Sequence, residues 1–169
     1  MGEDALTLRG LMRSVPSSVV VVTALDTEGA RGITIGSFVS VSLDPPLVCF
    51  NVNHASRMHP ILLASRRFAV SFLSDRQARV AARFALAGLS GTEQFEGLSI
   101  RLDLAGVPVI EEAVGWMSCQ VTQVIEGGDH SIFLGQVETL QAGEDLPPLV
   151  YYRGGYQGIG PPVRGDGDR

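Results

Sequence analysis

Apolar positions along this chain recur mostly with a period of two, or in short unbroken runs. That pattern marks strands, and only a few stretches carry the three-and-four spacing of helices. Ser18–Leu25 holds four consecutive valines. So continuous a run predicts a strand buried on both faces, as in a barrel wall or a subunit interface. Asp26–Gly29 has the composition of a hairpin turn. From Gly32 to Leu43, the apolar residues Ile33, Ile35, Phe38, Val39, Val41 and Leu43 interleave with the short hydroxyls Thr34, Ser37, Ser40 and Ser42. This stretch predicts one strand, stopped at Asp44-Pro45-Pro46, because proline donates no ladder hydrogen bond and excludes the helical region for its predecessor. Leu47–Val52 is the strand beyond that corner. Gly32 and Gly36 leave the backbone bare, so the stretch can offer amides and hydroxyls to a flat, polar-edged ligand.

The remaining elements follow in order. Asp4 is a candidate cap for a helix to about Ser14, with Ala5, Leu8, Leu11 and Met12 on one face. Ser56 or His59 precedes a helix through Ser65, with Pro60 tolerated in its first turn. A helix start carries amides and partial positive charge that suit a phosphate, and Arg57 adds a full charge. Taken alone, that segment reads better as an ordinary capped helix with a solvated arginine. Phe68–Leu73 alternates as a strand. Ser74 or Asp75 caps a helix over Gln77–Ala87, with Val80, Ala81 and Phe84 inward and Arg76, Arg79 and Arg83 mostly outward. Gly88–Thr92 reads as a loop, and Leu98–Leu102 and Val107–Ile110 as short strands around Gly106. Trp116–Ile125 alternates, with Met117, Cys119 and Val121 buried against a wet face of Ser118, Gln120 and Thr122. Gly127-Gly128-Asp129-His130 turns the chain into a strand over Ser131–Leu140, and Leu149–Tyr152 is the last strand. Residues 1–160 are expected to form one domain, with Pro161–Arg169 a mobile tail.

Composition narrows the class. The 169 residues are 45% hydrophobic and 18% charged, as expected for a globular domain with a sizeable core. A net charge of −5 argues against nucleic-acid binding, and all thirteen basic residues are arginine. Cys49 and Cys119 fall in apolar runs without metal-ligand spacing, which predicts buried free thiols and no metal. Met1–Arg13 lacks the apolar core of a signal peptide, and no apolar run approaches a membrane span, so a cytoplasmic protein is expected. The three histidines, His54, His59 and His130, accompany no hydrolase motif and no dinucleotide-binding glycine fingerprint.

The residues Gly32, Thr34, Ser37, Phe38 and Ser40 through Leu47 resemble the signature of the flavin reductase family. Those are FMN-binding split barrels that supply reduced flavin to two-component monooxygenases. Gly36 stands where the family usually has serine. Val19–Thr23, Gly128-Asp129-His130 and Pro148-Leu149-Val150-Tyr151-Tyr152 resemble further family motifs in the same order. Glu93-Gln94-Phe95-Glu96-Gly97 resembles another but lacks its usual arginine.

The resemblance implies a six-stranded antiparallel Greek-key split barrel with flanking short helices, acting as a homodimer. It implies FMN or FAD held by Thr34, Ile35, Gly36, Ser37, Phe38, Asn51, Val52, Asn53, Ser56, Arg57, Phe84 and Ala85. It implies NADH or NADPH as substrate, met by His130 and Tyr152, and a flavin-dependent monooxygenase as partner. Hydride transfer fits a chain so poor in catalytic groups, because the cofactor carries the chemistry and the protein has to place two rings at near-attack distance. His130 is the candidate catalytic side chain; read by itself, it is a turn histidine capped by Asp129. A flavin-binding or electron-carrier protein without turnover, and a barrel with a vacant site, remain alternatives at this level.

Overall fold

The computed structural model describes residues 7–162. Asp4, Ala5 and most of the tail from Pro161 therefore lie outside the described residues. The first helix, α1 (Leu8–Met12), is capped by Thr7, whose hydroxyl accepts from the Gly10 amide, and it buries none of its residues. Among the described residues twelve strands follow: β1 (Ser17–Ser18), β2 (Val20–Asp26), β3 (Gly29–Ile35), β4 (Val39–Leu43), β5 (Pro46–Asn53), β6 (Arg67–Phe72), β7 (Ile100–Leu102), β8 (Pro108–Ile110), β9 (Gly115–Gly127), β10 (His130–Ala142), β11 (Val150–Tyr152) and β12 (Gly155–Gln157). Between them run α2 (Met58–Ser65), α3 (Ala78–Ala85) and α4 (Gly91–Phe95).

Seven strands make one antiparallel sheet in the order β3-β2-β6-β9-β10-β5-β4. Its edge strands β3 and β4 are joined by only Gly36, Ser37 and Phe38. Laid flat, seven strands would hold their edges roughly 29 Å apart, whereas the chain from Ile35 to Val39 can reach at most about 14 Å. The sheet therefore curls until its edges nearly meet, which is a split barrel. The main sheet has seven strands rather than six because the stretch from Gly32 to Leu43 is two strands on opposite edges, not one. The corner at Asp44-Pro45-Pro46 is real, and it forms the β4–β5 hairpin.

The valine run behaves as its pattern requires. Val20 and Val22 enter the barrel core with Phe50, Phe68, Val70 and Phe133. Val19 and Val21 enter a second cluster with Ala81 and Phe84 on α3. Three elements differ from the pattern. Ser118 is buried, because its hydroxyl donates to Asp103 at 2.6 Å and register shifts interrupt the β9–β10 ladder. The stretch read as a loop at Gly88–Thr92 runs into α4, closed by a capping box between Ser90 and Glu93. Past Tyr152 the chain adds β12, which pairs with β11, and β11 pairs in turn with β1.

Candidate functional site

A cleft of about 220 Å³ opens between β3, the start of α2 and the end of α3. Ser56, Arg57, Phe84 and Ala85 line it together with Arg31 and Gly32. Gly32 has to be glycine, because a Cβ there would lie 2.6 Å from the Phe84 ring. Its backbone is clamped on both sides by Gln94: the Gly32 N–H donates to Gln94 Oε1 at 3.1 Å, and Gln94 Nε2 donates to the Gly32 carbonyl at 3.0 Å.

The start of α2 is already well engaged. Ser56 Oγ accepts from Met58 N–H, the Ser56 carbonyl accepts from His59 N–H, and Pro60 has no N–H. The helix start thus offers an anion little free amide, and the guanidinium of Arg57 is the available positive group. Arg57 donates to the Leu89 carbonyl at 2.9 Å, and no carboxylate among the described residues is within ion-pair reach of it. Arg31 donates to the same carbonyl at 3.1 Å, but it also pairs with Asp26 at 3.7 Å and Glu28 at 3.3 Å.

A second group lies along the open edge of the barrel. Ser37 is exposed in the link between β3 and β4, and its Oγ accepts from the Asn51 amide at 3.0 Å. That leaves the hydroxyl proton for a donor role. Asn51 and Asn53 are on β5, and Asn53 stands opposite His130 in the ladder. His130 sits at the tip of the β9–β10 hairpin, where Gly128 takes a φ of +72° that suits glycine. Its Nδ1 is 2.6 Å from Asp129 Oδ1. That hydrogen bond is the main cause holding the Asp129 carboxyl below its usual range. Asn53 Nδ2 donates to the other Asp129 oxygen at 3.4 Å.

The other expected residues take supporting places. Thr34 donates its hydroxyl to the Ala81 carbonyl at 2.7 Å, which ties β3 to α3. Ile35 and Val52 point into the core. Phe38 packs edge-on against Phe72, with centroids 5.3 Å apart. Gly36 lies against Ser17, where an added Cβ would be 3.0 Å from Oγ. Tyr152 belongs to the small β1-β11-β12 sheet, beneath the Arg153 guanidinium. The sequence pattern does not mark Arg31 or Gln94 as lining a cleft. Gln94 lay in a recognised motif, but nothing local marks an amide that will grip a strand far away in sequence. Cys119 is buried, and burial pushes its thiol up to about 12. Among the described residues no group of His, Cys, Asp and Glu could hold a metal ion, and no helix is long and apolar enough to cross a membrane.

The profile of the flavin reductase like domain matches residues 12–160. A flavin reductase of Pseudomonas putida is 40% identical over 157 residues, covering 92% of this chain and 91% of that protein. The reductase subunit HsaB of a Mycobacterium tuberculosis flavin-dependent monooxygenase is 35% identical over 163 residues, covering 94% and 84%. The Streptomyces globisporus NADH:FAD oxidoreductase SgcE6, solved with NAD and FAD fragments, superposes with a TM-score of 0.85 at 36% identity, covering 95% of this chain and 93% of that one.

Proposed function

The chain belongs to the flavin reductase family, and from that premise we propose that it passes hydride from a reduced nicotinamide to FMN or FAD and supplies the reduced flavin to a monooxygenase. The observation that carries this reading is the family match over residues 12–160, on a fold whose cleft gathers Ser56, Arg57, Phe84 and Ala85.

The chain's own residues fit such a ligand. At about 220 Å³, the cleft is smaller than the roughly 300–1,000 Å³ of a typical small-molecule pocket. It suits the ribityl-phosphate end, and leaves the ring system to the edge at Gly36–Phe38. Arg57 carries positive charge without a competing carboxylate among the described residues, and Ser56 stands beside it. Phe84 and Ala85 wall the cleft. Ser37 has a hydroxyl proton to donate to the polar edge of the ring, while Thr34, Ile35, Gly36 and Phe38 fix the backbone that carries it. Asn51, Val52 and Asn53 form the facing strand. His130 is positioned on its hairpin by Asp129 to orient the nicotinamide, with Tyr152 as the aromatic group at the neighbouring sheet. When bound, the flavin accepts the hydride and supplies the redox chemistry. The protein aligns the two rings, and no side chain is required to move a proton in the hydride step.

The working form is a homodimer. Leu8, Leu11 and Met12 on α1 are more than half exposed, as are Val39, Val41 and Leu43 on the edge strand β4. Apolar side chains exposed on one helix face and along an edge strand suit a contact between subunits, and β4 also offers unpaired ladder groups. Two free thiols fit a reducing, cytoplasmic setting.

The test is an activity matrix of NADH and NADPH against riboflavin, FMN and FAD, following nicotinamide absorbance. Sustained oxidation in at least one combination is expected. Flavin binding without oxidation in any of them would leave a flavin carrier instead.

A further inference from the structure

Ser131 lies wholly buried on β10, one residue past His130, and has no part in the reading above. Its Oγ is 2.8 Å from His59 Nε2, 3.1 Å from His54 Nε2 and 3.1 Å from Glu126 Oε1. Chemistry assigns the protons. A carboxylate can only accept, so Ser131 donates its single proton to Glu126. Its two lone pairs then accept from the histidines, and both imidazoles present Nε2–H. The His54 proton is shared with Glu126 Oε2 at 3.1 Å. The hydroxyl thus makes all three of the hydrogen bonds open to it.

The cluster joins two segments that the sequence keeps far apart. His54 and His59 bracket Ser56 and Arg57. Ser131 and Glu126 belong to the hairpin that carries His130. A main-chain bond reinforces the join, with the His54 N–H donating to the Asp129 carbonyl at 3.0 Å. At its buried end, around Ser131, such a cluster is weak grounds for stability, since apolar side chains of similar volume are often no worse in a protein interior. Directional hydrogen bonds add a fixed geometry that apolar packing does not.

We infer that Ser131, His59, His54 and Glu126 form a positioning cluster that sets the distance and angle between the Arg57 segment and the His130 hairpin. A flavin held at one is thereby presented to a nicotinamide held at the other. The inference rests on the roles proposed above for Arg57 and His130. Its motive is the steepness of orientation: a displacement of about 1 Å can slow a transfer by about a hundredfold.

The test compares three variants of the full-length protein. His59→Phe keeps a ring against Phe133, 5.6 Å away between centroids, but removes the donor. His59→Gln keeps a donor at similar reach. Glu126→Ala removes an exposed acceptor, so it reports even if a His59 variant does not fold. Anaerobic stopped-flow measures flavin reduction by NADH, and fluorescence titration measures FMN and riboflavin affinity. The expected result for His59→Phe is a slowing of reduction of about tenfold or more, equal to about 1.4 kcal/mol of barrier, together with a smaller preference for FMN over riboflavin. His59→Gln restores both, and Glu126→Ala moves both in the same direction as His59→Phe by a smaller factor. If His59→Phe and Glu126→Ala lower only the melting temperature, or if His59→Gln is no better than His59→Phe, the cluster is structural and the inference is overturned. The parent's FMN preference and a His130→Ala variant test the underlying roles separately, so failure of the cluster and failure of those roles remain distinguishable.

Discussion

Arg31 and Arg57 donate to the same acceptor, the carbonyl oxygen of Leu89, at 3.1 and 2.9 Å. Only Arg31 is also tied to carboxylates, at Asp26 and Glu28. Among the described residues, an incoming phosphate therefore competes for Arg57 with a neutral carbonyl, and charge-assisted bonds are the stronger kind. Arg57→Ala should weaken FMN binding by about 1.5–3 kcal/mol, as loss of a hydrogen bond to a charged group does. Riboflavin affinity should barely change, and the FMN advantage in the parent should shrink at high salt. Fluorescence titration of both flavins checks it; equal losses for the two would remove Arg57 from the phosphate.

Ser37 and Thr34 look alike in sequence and differ in the fold. Ser37 accepts from Asn51 and keeps its proton, whereas Thr34 has given its proton to Ala81. Ser37→Val should weaken flavin binding by roughly 1–3 kcal/mol, through a lost hydroxyl and an unmatched Asn51 amide. Thr34→Val should lower the melting temperature more than the affinity, because it cuts the tie between β3 and α3. Reversal of that order, read by thermal melts and flavin titration, would exchange their roles.

Much of this division was legible in the chain, and its limits have physical causes. The double-faced burial of β2 follows from four valines in a row, and the β4–β5 hairpin from two prolines. The break at Gly36–Phe38 was hidden because β-branched residues flank it on both sides. It is set by the need to carry the chain across the barrel opening. The helix α4 has five residues, too few to show a period, although Ser90 and Glu93 carry its capping signature. Ser118 reads as wet by alternation, and only the fold brings Asp103 to it. Gln94 and the histidine pair around Ser131 act across 62 and more residues of sequence, beyond any local pattern.

The Asp129–His130 pair gives a pH dependence. Asp129 has its folded pKa lowered, chiefly by the hydrogen bond from His130. Its contribution is present above the ordinary carboxylate range and is lost as pH falls through the lowered folded value. The hairpin tip should therefore stay ordered at neutral pH and loosen only in acid. Asp129→Asn should slow flavin reduction at neutral pH while leaving flavin affinity near the parent value. A pH series of reduction rates in both proteins checks it, and identical profiles would show that the pair does not orient His130.

Cys119, pushed up from 9.0 to about 12 by burial, with the Glu138 charge as a second cause, stays protonated in the folded protein well past the point where an unfolded thiol ionises. The unfolded chain binds fewer protons in that window, so stability should fall as pH rises from about 9 toward 12. In native protein at mildly alkaline pH, Cys119 should resist alkylation and react once urea is added. Rapid labelling of Cys119 without denaturant, read by peptide mass, would contradict its burial.

Hydride transfer to a bound flavin is the activity on which every role proposed for these residues depends. It is measured by mixing the protein and FMN or FAD with NADH or NADPH without oxygen, while flavin and nicotinamide absorbance are recorded together. The flavin colour is expected to be lost in step with nicotinamide oxidation, one for one, and His130→Ala to slow both by about tenfold or more while FMN affinity holds. If FMN and FAD both bind and keep their colour while NADH and NADPH absorbance stays constant, the protein is not a flavin reductase.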